Sequence, residues 1–509
     1  MLVAGGKLQV VRVMAYKGLD HFIETLEKSG ELRRITTPVS RDLEITEITD
    51  RISKGTAEQN KALLFENVEG FNIPVLINTF GSERRMAMAL GVKNLEQLRH
   101  NLAQLIDLKL PEGFGAAMGR ATELLGALRA VGLKPNRVKK GACQEVVHLD
   151  DASLDMIPAL KCWPDDGGRY ITLMQVITRD PATNSRNVGM YRVQIFDGKT
   201  AAMHWQRHKG GAEHERIAQE SHKPVIPTAI VLGGDPAQMW CASSPLPPGI
   251  DEYLLAGWLR GAPVPFVNCI TQPLEVPADA EIVIEGYVDP NDQRLEGPFG
   301  DHTGFYTPED YFPTFHVTAI THRQNPIYPT TIVGKPPMED LWMGKATERL
   351  FLPLMKLFMG EIVDVNMPAE GVFHNLIIVS IKKRYPGHPF KVVYGLWGLG
   401  LMMLTKAIII VDEDVDVQNL SDVAWRVLGN VDWRRDTVIV DGPVDQLDHA
   451  SIRNSFGGKI GIDATAKGEQ DGHTRGWPEE LVMSEEIKQL VDEKWESYFS
   501  NQSSVASGQ

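Results

Sequence analysis

Cysteine is scarce in this chain, and long apolar runs are absent. The four cysteines are spread over 509 residues without a C-x-x-C pair, a pattern that argues against a zinc ribbon or a disulfide framework. The longest aliphatic runs, at residues 376–379 and 407–411, are far below the ~18 residues that a membrane span needs. We therefore expect buried or half-buried thiols in a reducing compartment and a chain that does not span a membrane.

Positive charge is also in short supply. The chain has 52 Lys and Arg residues against 66 Asp and Glu residues, a net charge of −14, which phosphate backbones and anionic lipid surfaces repel. We therefore expect no nucleic-acid partner, and only a local basic pocket for one small anion is left open. The hydrophobic fraction of 43% is typical of a globular protein, and the length predicts two or three domains.

The N-terminus has no signal-peptide core, because Lys7 and Arg12 interrupt its apolar stretch. Helical periodicity begins just after Met14, which we interpret as the true start of the chain. From there to about residue 130 the pattern predicts a mixed α/β region. Its predicted elements are helices around Phe22 and Ile48, a strand at residues 31–39, and helices at residues 102–108 and 121–131.

Residues 131–325 predict a β-rich region. Residues 191–196 and 199–205 flank Asp197-Gly198, which is a strong hairpin signal. Several short strands at this spacing favour a barrel or a sandwich.

Residues 326–480 return to an α/β pattern. Residues 407–440 predict a strand–helix–strand unit with parallel strands. Ser484 can cap a final helix with an apolar stripe, which we expect to dock on its own chain rather than on a partner subunit. The Ser/Gln/Gly-rich residues 500–509 predict a disordered tail.

The most unusual segment is Glu296-Gly-Pro-Phe-Gly-Asp301-His302-Thr-Gly304, named here the carboxylate loop. Glycine lets a ligand approach the backbone closely, and proline stiffens the loop. Two carboxyl groups five residues apart can converge on one site, where partial desolvation splits their pKa values and leaves one group protonated. The alternative, which the pattern alone favours, is an ordinary turn with exposed charges.

A second group of polar residues lies at the ends of the predicted hairpin. Asn187 and His208 can share a metal ion with an acid such as Glu252, and this O/N/O set suits Mn²⁺ or Mg²⁺ better than zinc. Their spacing carries no local signature. Arg192 or Lys209 can bind a phosphate or a carboxylate. Asn187 and Arg192 point to opposite faces of an ideal strand, so either a bulge intervenes or they serve different parts of one ligand.

Five motifs in this order resemble the UbiD family of decarboxylases. They are N-V-G-M-Y-R at residues 187–192, H-K-G-G at 208–211, D-E-Y at 251–253, the carboxylate loop, and K-I-G-I-D-A-T at 459–465. The resemblance runs from about residue 16 to about residue 463. It is closest to the branch that decarboxylates 3-polyprenyl-4-hydroxybenzoate in ubiquinone biosynthesis, which residues 30–35, 43–48 and 61–67 also resemble.

The resemblance implies an α+β, multidomain fold. A central flavin-reductase-like split β-barrel is flanked by N-terminal and C-terminal α/β domains. The expected boundaries are residues 14–130, 131–325 and 326–480, followed by a C-terminal helix and tail at residues 481–509.

The same resemblance implies cofactors. The family uses prenylated FMN, which a separate flavin prenyltransferase makes, together with Mn²⁺ and a nearby K⁺. Asn187, His208 and Glu252 are then the implied Mn²⁺ ligands. The implied cofactor-lining residues are Met190, Tyr191, Arg192, His204, Trp205, Gln206, Lys209 and Gly210.

Arg192, Glu296 and Asp301 form the implied catalytic set. Loss of CO2 from an aromatic ring leaves an unstable carbanion, whose electron pair an electrophilic cofactor can accept. Arg192 then orients the substrate carboxylate, and Glu296 holds Arg192 in place. We expect Asp301 to be kept neutral by burial and by its carboxylate neighbour, and to return the proton to the ring.

The implied reaction is the non-oxidative decarboxylation of an aromatic acid, 3-polyprenyl-4-hydroxybenzoate, to 2-polyprenylphenol and CO2. The implied protein is a cytoplasmic homo-oligomer, a dimer or a hexamer, and a polyprenyl tail calls for transient contact with the inner membrane. One alternative is a decarboxylase, or a reversible carboxylase, of a small hydroxybenzoate such as protocatechuate or 4-hydroxybenzoate. An alternative of another class is a split-barrel flavin reductase or flavin-binding module.

Overall fold

The structure is a computed structural model that describes residues 15–107, 134–206, 210–221, 225–246 and 250–499. Several predictions lie outside these ranges. They are the start at Met14, the helix at residues 121–131, the tail at residues 500–509, and the site residues His208 and Lys209.

The N-terminal region packs helices on a small sheet. Helix α1 (Leu19–Lys28) forms because Leu19, Phe22, Ile23 and Leu26 recur at helical spacing, and all four are buried. The other helices are α2 (Glu44–Ser53), α3 (Glu83–Ala89) and α4 (Glu96–Asp107), and the strands are β1 (Leu32–Ile35), β2 (Ala62–Phe65), β3 (Val75–Ile77) and β18 (Tyr328–Pro329). The sheet has the order β1-β2-β3-β18, so its last strand comes from much later in the chain.

The central region is built on a nine-stranded sheet. Its strands are β5 (Val146–His148), β6 (Arg169–Ile171), β7 (Gln175–Arg179), β8 (Arg186–Gly189), β9 (Val193–Ile195), β10 (Thr200–Met203), β11 (Ile226–Leu232), β14 (Ile282–Glu296) and β17 (Asp310–His322). The order is β6-β9-β10-β17-β14-β11-β7-β8, with β5 on β17. The predicted hairpin at Asp197-Gly198 is confirmed, because β9 and β10 pair in antiparallel register.

The long strands β14 and β17 give the central sheet its curl. They pair along their whole lengths, and the register shifts between Glu285 and Gly286 and again between Asp289 and Gln293. Such bulges bend a strand and increase its twist, so the sheet curls into a half barrel. The shorter elements of this region are β4 (Asn136–Arg137), β12 (Pro265–Asn268), β13 (Glu275–Pro277), β15 (Phe299–Gly300), β16 (Tyr306–Thr307), α5 (Gly210–Glu220), α6 (Pro236–Cys241) and α7 (Glu252–Arg260).

The C-terminal region has its own five-stranded sheet. Its elements are α8 (Glu339–Phe358), β19 (Ile362–Asn366), β20 (Leu376–Ile381), α9 (His388–Trp397), β21 (Ala407–Asp412), α10 (Leu420–Asn430), β22 (Thr437–Pro443), β23 (Phe456–Asp463) and α11 (Glu485–Phe499). The order is β19-β20-β21-β23-β22. Strands β20, β21 and β23 are parallel, and the two edge strands are antiparallel to their neighbours.

The predicted parallel strand–helix–strand unit at residues 407–440 is wrong in its direction. Strand β22 runs antiparallel to β23, which is itself parallel to β21. The chain turns back after β22, and β23 lies between β21 and β22 in the sheet. Strand β22 is therefore the edge strand and does not pair with β21.

The expectation that the final helix docks on its own chain is also wrong. No residue of α11 is buried, and its stripe of Ile487, Leu490, Trp495 and Tyr498 is exposed. The stretch between residue 472 and the helix forms no strand or helix.

The apolar cores follow the sheets. The N-terminal and central regions share two cores, one of which contains Phe22 and Trp240 and the other Phe65 and Phe315. The C-terminal sheet has a separate core on each face. Across the ranges that the structure describes, no helix has both the length and the apolar character to cross a membrane.

Candidate active site

Arg192 lies at the centre of a buried cluster on the curled sheet. Its Nε and Nη2 atoms donate to both oxygens of Glu296, at 3.1 and 2.8 Å. Its Nη1 atom donates to Asp301 Oδ2 at 2.5 Å and to Thr307 Oγ1 at 3.1 Å. The Phe299 ring lies 4.7 Å below the guanidinium carbon. The cluster thus fixes the arginine in one plane, with one carboxylate on each edge.

The charges of this cluster differ from the expectation. Burial by itself raises the pKa of the Glu296 carboxyl, but Arg192 and His204 outweigh it, and the pKa lies below its ordinary value. Burial also acts on Asp301, and His302 followed by Arg192 lowers its pKa well below the ordinary range. The expectation of a neutral Asp301 is therefore wrong for this arrangement. Arg192 and His302 both contact the acid, and Arg192 lies between the two carboxylates and offsets their repulsion.

His204 completes the cluster on the side of Glu296. Its Nδ1 atom lies 2.8 Å from Glu296 Oε2, and its ring packs on Phe312 at 4.0 Å. Burial and the neighbouring Arg192 lower the pKa of His204. The imidazole is therefore neutral at neutral pH, with its proton on Nδ1 facing the carboxylate and Nε2 free of a proton.

The carboxylate loop is a built element rather than an ordinary exposed turn. Asp166 Oδ1 accepts from the backbone N of Gly300 at 2.7 Å, and Gln194 Oε1 accepts from that of Gly297 at 2.8 Å. Gly167 and Gly297 pack backbone to backbone, so a Cβ on Gly297 would lie 2.5 Å from the Gly167 Cα. Glu296 and Asp301 are both buried, which rules out the alternative of exposed charges.

A Gly297→Ala substitution is expected to lower the free energy of unfolding by roughly 1–3 kcal/mol, because the added methyl meets rigid backbone. Gly458→Ala is the matched control, since a Cβ at that strand position meets nothing within 4 Å. Thermal or urea unfolding of the two variants measures the difference. Equal stability of the two proteins would mean that the loop does not need its close backbone contact.

The candidate metal ligands lie where β8 meets the start of α7. Glu252 is buried, its Oε2 accepts from the backbone N of Val188 at 2.9 Å, and burial raises its pKa to about 8. Asn187 precedes Val188, and its Oδ1 lies at the position that a Cβ on Gly210 would approach to 2.0 Å. His208 lies outside the described residues.

The surroundings of this pair fit a cation. Burial raises the pKa of the Glu252 carboxyl, and the cation Arg186, which acts on it from nearby, does not offset that rise. A buried carboxylate in this setting favours a positive partner. No cluster of three or more His, Cys, Asp or Glu side chains with metal-site geometry occurs in the described ranges, which do not include the third predicted ligand.

The candidate cofactor residues on β8–β10 and at the start of α5 lie next to one another, and this surface is named here the cofactor wall. The Tyr191 hydroxyl accepts from the backbone N of Gly211 at 3.1 Å and from Asn187 Nδ2 at 3.3 Å, which ties the first turn of α5 to the sheet. Met190 is half-buried and contacts both central cores. The wall therefore ends at the N-terminus of α5, where Gly210 begins the helix.

Trp205 and Gln206 extend this wall towards the C-terminal region. The buried indole N–H of Trp205 has no acceptor among the residues that the structure describes, so it is a donor available to a ligand. Gln206 Nε2 donates to Asp445 Oδ2 at 3.1 Å. These residues fit a polar, phosphate-bearing cofactor, because the free indole N–H of Trp205 lies beside the first turn of α5.

Three family models match the chain in consecutive segments. They describe the N-terminal domain, the Rift-related domain and the C-terminal domain of 3-octaprenyl-4-hydroxybenzoate carboxy-lyase, and they match residues 23–105, 136–336 and 341–464. A relative that is 52% identical matches over 482 residues. The chain belongs to the UbiD family.

The relatives of this UbiD-family chain include two uncharacterized proteins. The one from Aquifex aeolicus (strain VF5) aligns over 94% of this chain and 98% of its own length at 52% identity. The one from Archaeoglobus fulgidus is 48% identical over 490 residues, which cover 95% of this chain and 98% of that protein.

Solved structures of UbiD-class enzymes share the fold. Vanillic acid decarboxylase from Sedimentibacter hydroxybenzoicus, in its closed form, has a TM-score of 0.83 at 28% identity and covers 96% of this chain and 99% of that one. HmfF from Pelotomaculum thermopropionicum, in complex with FMN, has a TM-score of 0.77 at 26% identity and covers 93% and 99%. The predicted α+β, multidomain architecture with a central barrel-like sheet is confirmed, and so is the prediction of a UbiD-type carboxy-lyase.

Some residues of this UbiD site escaped the prediction from sequence. Thr307 contacts both Arg192 and Asp301, and Phe299 stacks under the arginine. Phe299 lies in the carboxylate loop and Thr307 lies three residues after it, so closeness to the loop was the sequence signal that could have identified them. His374 contacts His302 from 72 residues away, and no local pattern marks that pairing.

Proposed function

We propose that this UbiD-family enzyme decarboxylates 3-polyprenyl-4-hydroxybenzoate to 2-polyprenylphenol in ubiquinone biosynthesis. The observation that carries the decarboxylase assignment is the buried cluster in which Arg192 holds Glu296 on one edge and Asp301 on the other. Removal of a carboxylate requires a fixed cation that orients it, and delivery of a proton requires an acid close by. The cluster supplies both groups side by side.

Arg192 is the group that would orient the substrate carboxylate. Glu296 accepts the Nε hydrogen and one Nη2 hydrogen, and Asp301 and Thr307 accept both Nη1 hydrogens, so the second Nη2 hydrogen is the one that a substrate carboxylate would accept. A second anion on the guanidinium weakens the hold of the arginine on Asp301, and this raises the pKa of the acid. Substrate binding would thereby prepare Asp301 to carry the proton that the ring carbon receives.

Glu296 and His204 are positioning residues in this scheme. Glu296 fixes the plane of the guanidinium through two hydrogen bonds. The neutral imidazole of His204 packs on Phe312 beside the cluster, where its unprotonated Nε2 can accept from a bound cofactor. Burial of the whole group excludes water from the place where the C–C bond breaks.

The cofactor that we propose is prenylated FMN with Mn²⁺ and K⁺. When bound, it supplies an electrophilic centre that accepts the electron pair left by CO2. Met190, Tyr191, Trp205, Gln206, Lys209 and Gly210 would hold it, and Asn187, His208 and Glu252 would hold Mn²⁺ against its phosphate. HmfF has been solved with FMN and, in an evolved dimeric form, with prenylated FMN, which supports the flavin. A separate prenyltransferase would then be the partner that supplies the cofactor.

A Glu252→Gln substitution is expected to lower the affinity for Mn²⁺ at least ~10-fold, because it removes the charge that balances the ion and keeps the size of the side chain. Metal analysis after dialysis against graded Mn²⁺ measures the loss. The matched control is Glu285→Gln, another fully buried carboxyl, which accepts from the backbone of Ile270 and Thr271. Unchanged Mn²⁺ binding in Glu252→Gln would remove this residue from the ligand set.

A small hydroxybenzoate is the second candidate substrate. The similarity to vanillic acid decarboxylase along almost the whole chain favours it. A split-barrel flavin reductase is the candidate of another class, but hydride transfer needs neither Glu296 nor Asp301.

A panel assay tests the proposed function. Protein produced together with a flavin prenyltransferase is incubated with 3-polyprenyl-4-hydroxybenzoate, vanillate, 3,4-dihydroxybenzoate and 4-hydroxybenzoate, and the released CO2 is measured. Rescue of ubiquinone synthesis in a decarboxylase-deficient bacterium distinguishes the polyprenyl substrate from the small acids. If protein carrying the modified flavin releases no CO2 from any of these acids, while NADH bleaches its cofactor, the reductase assignment replaces ours.

In the cell, we propose a cytoplasmic homo-oligomer with transient contact at the inner membrane. The apolar tail of a polyprenyl substrate is the reason for that contact. The size of the oligomer is measured by light scattering of the purified protein.

A further inference from the structure

Asp301 has a further hydrogen-bonded neighbour, besides Arg192 and Thr307, that the proposed mechanism does not use. Its Oδ1 atom accepts from the backbone N and from the ring Nδ1 of His302, both at 2.7 Å. The Nε2 atom of His302 lies 2.8 Å from Nε2 of His374. His374 Nδ1 in turn lies 3.1 Å from Asn375 Oδ1. Four groups thus form one continuous chain from the buried acid into the C-terminal region.

The directions of these hydrogen bonds follow from the two groups at the ends of the series, Asp301 and Asn375. Asn375 Oδ1 only accepts, so the proton of a neutral His374 is on Nδ1 and its Nε2 carries a lone pair. That lone pair accepts a proton from His302 Nε2. The carboxylate of Asp301 accepts from His302 Nδ1. His302 therefore carries a proton on both nitrogens and is an imidazolium that lies against an ionised acid.

The charges around His302 favour this assignment. Asp301, Asp340 and Asp445 all act on it, and together they outweigh burial and raise its pKa. Arg192 faces Asp301 from the other side. About 18% of the His302 side chain is exposed, so the ring is in reach of solvent protons.

His374 is the neutral member of the pair. Burial and the neighbouring imidazolium of His302 lower the pKa of His374 to about 4, against the opposing effect of Asp445. The two imidazoles thus divide their roles, with one storing a proton and the other accepting a hydrogen bond from it.

The turn that carries His374 is strained. Val372 and Phe373 have φ angles of 41° and 51°, and a β-branched residue in the left-handed region is a genuine outlier. This turn stacks the Phe373 ring on His302 at 5.2 Å and delivers His374 to its Nε2 atom. Strain of this kind persists where the surrounding structure holds the backbone in place, and it is concentrated at functional sites.

We propose that His302 is the proton reservoir of Asp301 and that His374 is the positioning residue that keeps His302 charged. The proposal rests on the decarboxylase function proposed above. In the reaction, the N–H bond of His302 Nδ1 breaks and an O–H bond forms on Asp301. That O–H bond then breaks, and the proton joins the electron pair left by CO2 as a new C–H bond. His302 regains one proton from solvent, which balances the one proton consumed for each carboxylate lost.

The charge on His302 can be measured without substrate or cofactor. In ¹⁵N-histidine-labelled protein with 14 histidines, ring signals are assigned with the variants His302→Gln and His374→Gln. We expect both ring nitrogens of His302 to be protonated at pH 7, and to remain so above the ordinary histidine pKa of roughly 6.5. Signals of a neutral His302 ring at pH 7 would overturn the proposal, whatever the substrate of the enzyme is.

The pH profile of the loaded enzyme gives the second test. Because the proton is available only below the pKa of His302, kcat should fall as pH rises through that value. His302→Asn is expected to lose this alkaline limb and about 100-fold in kcat. His374→Phe should move the limb about one pH unit lower, the shift that loss of one charge-assisted hydrogen bond produces, and His374→Gln, whose carbonyl can accept from His302, should restore it.

The chain contains a matched control pair. His148 and His322 also face each other through Nε2 at 3.2 Å, with Asp151 2.7 Å from His148 Nδ1. They lie at the end of β17 remote from the carboxylate loop. His148→Asn should leave the profile unchanged. A profile of His302→Asn that equals the wild type would overturn the proposal, and absence of CO2 release from wild-type protein would instead remove the proposed function while the nitrogen signals still report on His302.

Discussion

An Arg192→Met protein should release CO2 at least ~10³-fold more slowly than the wild type, because it lacks the cation that holds both carboxylates and that we propose orients the substrate. The same change is expected to lower the free energy of unfolding by roughly 3–5 kcal/mol, since it leaves buried carboxylates without their cation. Screening by solvent is small here, because the Arg192 and Glu296 side chains are only 9% and 1% exposed. Urea unfolding and a CO2 assay measure the two effects.

The stability loss should depend on pH in a definite direction. The pKa values of Glu296 and Asp301 lie below their ordinary values in the folded protein. Their contribution to stability is therefore fully present above the unfolded pKa of roughly 4 and is lost as pH falls through the folded values. We expect the stability difference between wild type and Arg192→Met to shrink as pH is lowered below about 4.

Arg294→Met is the control for this prediction. Arg294 lies on β14 close to the site, but its side chain is 40% exposed, its acidic partners Asp292 and Asp197 are 3.5 and 3.9 Å away, and it donates to Thr200 at 3.1 Å. Removal of such exposed pairs changes stability by no more than ~0.5 kcal/mol. Equal losses in the two variants would show that the buried cluster contributes nothing beyond an ordinary surface charge.

The carboxylate loop shows how far the sequence can predict this site. Its pattern alone favoured an exposed turn over two convergent carboxyl groups, and the resemblance to the UbiD family was what selected Glu296 and Asp301 as a catalytic pair. Both carboxylates meet Arg192 in the structure. The protonation state was not predictable from the loop. It depends on which cations face each acid, and Arg192 is 104 residues away from Glu296 in the chain.

Other features depend on contacts that no local pattern records. His374 meets His302 through a strained turn in another region. The direction of β22 is set by the insertion of β23 beside β21, although the strand itself was predicted correctly. Periodicity thus gives the elements and their apolar faces, whereas pairing order and the charge of buried groups are properties of the assembled fold.

An Asp301→Asn protein should lose about 10³-fold in kcat while its KM stays unchanged or falls. The amide has nearly the size of the acid and can still accept from His302, so the fold and the loop are preserved. It cannot deliver a proton to carbon, so the substitution removes the general acid that we propose. It also binds the guanidinium of Arg192 less strongly than a carboxylate does, so the substrate carboxylate binds at least as well.

The controls for Asp301→Asn separate proton delivery from charge. Asp301→Glu keeps an acid at this position and should retain measurable turnover, with a rate limited by the extra methylene in a buried site. Asp310→Asn removes an exposed carboxylate at the start of β17 and should leave kcat unchanged. Steady-state kinetics of the three variants decide the matter. If Asp301→Asn keeps more than about a tenth of the wild-type kcat, a different group protonates the ring, because loss of a general acid costs at least ~100-fold.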